Sequence, residues 1–138
     1  MKVNSGKNRL FVLDLYTDRI VSNGLVAHGS GSNTLIRDSL IFSNVPNSYK
    51  TSLGKYKIGA SYPGRFGKSY KLHGLDASNS NAFDRFIVLH RYSCVPNEEQ
   101  SYEICNSLGC PMVSEAYFEE LDTYIEPSEK PLLLEIFY

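Results

Sequence analysis

Apolar positions along the chain recur in short runs, many with a period of two, and turn residues separate the runs. This spacing predicts strands. Residues 9–15 form the first β-prone run, Asp18-Arg19 a turn, and residues 20–28 a second strand with a bulge or bend at Asn23-Gly24, so the two read as a hairpin. Residues 33–50 are polar and turn-rich, with Leu40-Ile41-Phe42 as a short strand or anchor. A turn at 51–54 leads into an alternating strand at 55–62. After a turn at 62–67, residues 69–73 alternate again. A loop at 74–80 and one helical turn at 79–83 precede an apolar central strand, 85–90, that closes on His90. The period changes once. Tyr117, Phe118, Leu121 and Ile125 recur at helical spacing behind Ser114, an N-cap residue, and Pro127 ends that helix. Residues 131–138 form a last buried strand. The pattern is mostly β, a sandwich or partly closed barrel with one or two short helices, in a single domain over residues 1–138.

Composition narrows the function classes. Fourteen basic and fifteen acidic side chains leave a net charge of −1. Binding nucleic acid through counterion release needs a basic patch, so no nucleic-acid partner is expected. No apolar run approaches the ~18 residues of a membrane span. The first residues lack the apolar middle of a signal peptide. The loop His28-Gly29-Ser30-Gly31-Ser32-Asn33 lacks the GK[ST] of a phosphate-binding loop.

The chemistry concentrates between His90 and Cys110. Cys110 follows a glycine and precedes a proline, a setting that exposes a thiol on a tight turn. Only a few per cent of an unassisted thiol, with a pKa of ~8.5, is thiolate near neutral pH, so a nucleophilic cysteine needs an imidazole beside it. His90 is the candidate, and only the fold can bring the two together. Of the three cysteines, Cys94 and Cys105 flank the acidic loop between these residues. They either pair, leaving Cys110 free, or stay as two partly buried thiols. A zinc site lacks a second ligand pair at the usual spacing. The Glu98-Glu99 pair reads as a solvated loop tip rather than a glycosidase pair.

The order strand, histidine, long loop, then Ser107-Leu108-Gly109-Cys110 resembles the signature of the L,D-transpeptidase catalytic domain, the YkuD-type fold of bacterial cell-wall enzymes. Upstream, Lys50-Thr51-Ser52-Leu53-Gly54-Lys55-Tyr56 resembles that family's Lys-Thr-Pro-x-Gly-x-aromatic turn, with Ser52 in the proline's place. Val26-Ala27-His28-Gly29-Ser30-Gly31-Ser32, Phe42-Ser43-Asn44, Leu72-His73-Gly74-Leu75 and Gly109-Cys110-Pro111 are similar to a subgroup of its members. Two positions depart from the pattern: Arg91 follows the histidine, where glycine or serine is common, and Met112 stands where many members carry a basic residue.

The resemblance implies a YkuD-like fold and a cysteine acyltransferase acting on peptidoglycan stem peptides through a thioester to form 3→3 crosslinks. It implies Cys110 as nucleophile, His90 as base and the carbonyl oxygen of Arg91 as the group orienting the imidazole. Gly109 and Cys110 amides would form the oxyanion hole, and Ser107 is either a hydroxyl that stabilises the loop or a partner to the catalytic groups, the second being the reading preferred. His73 and Arg85 are candidates for substrate carboxylates or for structural hydrogen bonds. Tyr56, Tyr62 and Tyr92 are candidates to line the cleft. No cofactor or metal is implied. The expected setting is extracytoplasmic, in the periplasm or cell envelope, for a monomer whose signal or anchor segment is absent from this sequence. An L,D-carboxypeptidase, a non-catalytic wall-binding module and an unrelated thiol hydrolase are the alternatives.

Overall fold

The computed structural model describes residues 1–36 and 39–138. Its strands form two sheets. A hairpin pairs β1 (Leu10–Asp14) with β2 (Arg19–Gly24). A curled half-barrel sheet holds β3 (Gly54–Gly64), β4 (Gly67–Gly74), β5 (Val88–Arg91), β6 (Met112–Val113) and β7 (Leu133–Ile136) in the order β6-β5-β4-β3-β7. One helix, α1 (Glu115–Ile125), follows β6. The mostly β architecture expected from the alternating runs is present, and it is consistent with the YkuD-like fold that the resemblance implies.

Side-chain alternation explains why the sheet has two unlike faces. Tyr56 and Ile58 on β3, Tyr70 and Leu72 on β4, and Leu89 on β5 point into a core that Tyr117, Phe118 and Leu121 of α1 complete. Such a face puts a helix on one side and leaves the other open. Ser114 caps α1, its hydroxyl accepting the Tyr117 amide at 3.1 Å. Phe118 is 2 % exposed, and its truncation to alanine costs about 3–5 kcal/mol by the usual cavity penalty. A smaller cluster joins Val95 and Ile104 of the 94–110 segment to Leu25, Ala27 and Met112.

Several boundaries differ from the sequence reading. The second strand ends at Gly24, and its irregularity lies at Val21, which has no partner between Ser22 and Ile20. Asn23 and Gly24 pair regularly. Strand β3 runs through Pro63 to Gly64, and only Arg65 and Phe66 make the turn. A register shift between Ile58 and Ser61 bends it midway. The central strand begins at Val88 rather than at 85, because Phe86 adopts φ 56° and breaks the extended backbone. Strand β6 went unpredicted: two residues are too few for a periodicity signal, and its parallel pairing with β5 is a long-range contact. Leu40 forms only an isolated bridge with Asn33.

Candidate active site

Cross-strand register builds the site on the open face of the sheet. Tyr62 pairs with Ser69, Ser69 with His90, and His90 with Met112, a row across β3, β4, β5 and β6. The neighbouring row contains Lys71 and Val88. The Val88 amide lies 3.5 Å from Cys110 Sγ, as its donor. His90 is two residues from Val88 on β5 and so on the same face. Cys110 and His90 both line a cleft of about 710 Å³. Its walls include Tyr62, Phe66, Arg85, Phe86, Tyr92 and Ser107.

The turn that carries Cys110 is held by its own serine. Ser107 Oγ donates to the Cys110 carbonyl at 2.6 Å and accepts the Gly109 amide at 3.2 Å. The Gly109 amide, expected as an oxyanion donor, is thereby occupied. The Cys110 amide has no hydrogen bond among the described residues and is the donor left for an oxyanion. Gly109 has φ 120°, which L side chains rarely adopt. The turn also lies against Gly29, where a Cβ would sit 2.7 Å from Gly109 Cα. Backbone bonds from Ser107 N–H to His28 O and from Ser30 N–H to Ser107 O lock the two segments together. Cys94 and Cys105 form a disulfide just before this turn, and Cys110 is the free cysteine.

His90 is 5 % exposed, and its Nδ1 lies 3.0 Å from the Arg91 carbonyl oxygen. A carbonyl only accepts, so Nδ1 carries the proton and Nε2 is left with a free lone pair. Burial pulls the His90 pKa below the usual imidazole value, more than the Arg91 bond raises it. Burial likewise pushes the Cys110 thiol up, against the lowering effects of the Val88 amide and the Arg85 charge. The resting pair is a neutral thiol and a neutral imidazole.

The remaining sequence candidates fall in different places. Tyr62 and Tyr92 line the cleft. Tyr56 does not, and the expectation that it touches substrate is corrected: it is 0 % exposed in the core, its hydroxyl against the carbonyl and hydroxyl of Ser52 at 2.6 and 2.7 Å. Arg85 reaches the cleft, but its terminal nitrogens bond to its own chain: Nη1 to Ser43 O and Ser52 Oγ, Nη2 to Lys50 O and Ser48 Oγ. His73 lies beyond the cleft wall, stacked on Phe83 with centroids 4.7 Å apart. Sequence reasoning missed Phe66 and Phe86, since an exposed aromatic carries no periodic signal. It also missed the network around buried His28, whose Nδ1 faces Arg9 at 2.8 Å and whose Nε2 faces Asn33 at 2.7 Å.

Compared with known proteins, residues 1–133 match the family described as L,D-transpeptidase catalytic domain. No curated protein and no solved structure matches the chain.

Proposed function

The chain belongs to the L,D-transpeptidase catalytic-domain family, and from that premise we propose that it cleaves and rejoins peptidoglycan stem peptides through a thioester on Cys110. The observation that carries this reading is the shared cleft of Cys110 and His90, with Nδ1 held at the Arg91 carbonyl. Cys110 Sγ attacks the carbonyl of an L-centre bonded to a terminal D-residue, while His90 Nε2 takes the thiol proton. The Cys110 amide donates to the oxyanion, a contact of the kind worth about 3 kcal/mol in the transition state. His90 returns the proton to the departing amine, and a thioester remains. The amine of a second stem attacks it, loses its proton to His90 and forms the 3→3 amide as the thiolate leaves and is reprotonated. Water in place of that amine makes the enzyme an L,D-carboxypeptidase.

The substrate places this chemistry outside the cytoplasmic membrane, in the cell envelope. Among the described residues no helix is long and apolar enough to cross a membrane. The test is mass analysis of purified muropeptides after incubation with the protein and with Cys110→Ala. Crosslinked dimers lost in the variant support transpeptidation; shortened stems alone support carboxypeptidation. Unchanged muropeptides, together with no acyl adduct on Cys110 after carbapenem treatment, point to a binding module. Cleavage of ordinary L-peptides instead points to a different thiol hydrolase.

A further inference from the structure

On the open face of the sheet, next to the cleft, stands a basic and aromatic patch that the reaction above does not use. Lys71 Nζ lies over two rings, 5.5 Å from the centroid of Tyr62 and 5.4 Å from that of Phe83. His73, two residues along β4 and so on the same face, stacks on Phe83. Lys57 is the cross-strand partner of His73 on β3. Lys57 and Lys71 both lower the pKa of His73, after burial. Among the described residues neither lysine has a carboxylate within ion-pair distance. Asp84 stands in the cleft wall without pairing to them. Glu135 lies on the same face, as the cross-strand partner of Lys55, but pairs with neither lysine, so two unpaired cations beside each other form a local field that attracts an anion.

Register gives this patch its place. Lys71 is the direct partner of Val88, and Val88 touches Cys110 Sγ. The patch therefore lies about two strand spacings, or roughly 10 Å, from the nucleophile, and Tyr62 belongs to both patch and cleft wall. Two to three residues of extended peptide span that distance.

We propose that Lys57, Lys71 and His73, with the rings of Tyr62 and Phe83, form a binding site for a non-terminal carboxylate of an acidic peptide whose scissile bond lies at Cys110. The proposal rests on the transpeptidase reading for the position of that bond. Lys71 supplies the charge, held upright by the two rings. Lys57 adds a second charge, and the His73 ring closes the end of the site.

Calorimetric titration of the Cys110→Ala protein tests it without turnover. A stem tetrapeptide is compared with the same peptide whose non-terminal carboxylates are amidated, in three backgrounds: Cys110→Ala alone, with Lys71→Gln, and with Lys130→Gln as a charge control outside the proposed set of residues. Loss of a charged hydrogen bond predicts about tenfold weaker binding on amidation when Lys71 is present. That loss should shrink towards none with Lys71→Gln and persist with Lys130→Gln. Equal losses in all three backgrounds, no loss in any, or no binding of either peptide overturns the proposal. Muropeptide turnover by the unaltered protein is measured alongside. Turnover without coupling to Lys71 removes the carboxylate site alone; no Cys110-dependent turnover removes the reading beneath it as well.

Discussion

The ring of Phe66 lies nearly parallel to the imidazole of His90, with centroids 5.0 Å apart and planes 18° apart. Phe66 sits at the tip of the β3–β4 turn and is braced edge-on by Tyr92 at 4.9 Å. One ring face of His90 is thereby kept from water while the Arg91 carbonyl sets its rotation. Burial holds the His90 pKa down, and the proposed reaction needs the neutral form. Phe66→Ala admits water, so the His90 pKa rises and the acid limb of kcat/KM moves to higher pH. Phe66→Tyr keeps the stack and the original limb. Arg65 and Arg91, the nearby cations, are unchanged in both variants. Identical pH profiles for the alanine variant and the parent protein would remove this role.

Ser107→Ala should damage both fold and activity. The hydroxyl satisfies the Cys110 carbonyl and the Gly109 amide together. Leaving buried polar groups unmatched costs about 1–3 kcal/mol. The urea midpoint should fall accordingly, and muropeptide turnover should fall further than the loss of folded protein explains, because the Cys110 amide loses its fixed direction. An unaltered midpoint would show that the turn holds itself.

Replacing Cys94 and Cys105 together by alanine should lower stability by about 2–3 kcal/mol, the chain-entropy figure for so short a loop. The bridge ends one residue before Asn106, which lines the cleft, so turnover should fall in parallel. The measurements are the denaturation midpoint and kcat/KM. Thiol counting on the denatured, non-reduced protein should find one free thiol, that of Cys110.

Stability should decline as pH falls below about 6.5. His28, His73 and His90 all have pKa values below the usual imidazole value, burial being the main cause in each. Between the folded and unfolded pKa values the unfolded chain binds more protons, so ΔG of unfolding rises with pH there and is lost as pH falls through the folded values. The Arg9 guanidinium facing His28 Nδ1 adds to the effect, since a proton on that nitrogen would meet a donor. Urea midpoints between pH 5 and 8 check this, and His28→Gln should flatten the slope. A flat profile in the parent protein would contradict it.

Much of the fold was legible because it rests on local regularity. Alternation along 55–62 and 69–73 marks β3 and β4, and the 117/118/121/125 spacing behind Ser114 marks α1. The two-residue strand β6 and the break at Phe86 were not legible. One is defined only by its partner β5, the other by a φ of 56° that an apolar run does not announce.

The same division runs through the site. The kinds of group present, a glycine-flanked thiol and a strand-ending histidine in family order, are properties of the chain read along its length. Their meeting depends on the parallel pairing of β5 with β6, which sets Met112 beside His90 and the thiol beside Val88. Folding likewise turned Tyr56 into core and spent the Arg85 fork on the 43–52 segment, while it gathered Lys57, Lys71 and His73 on one face. A side chain's chemistry is intrinsic to its type. Its neighbours, burial and proton affinity arise from contacts tens of residues apart, and no local pattern encodes those.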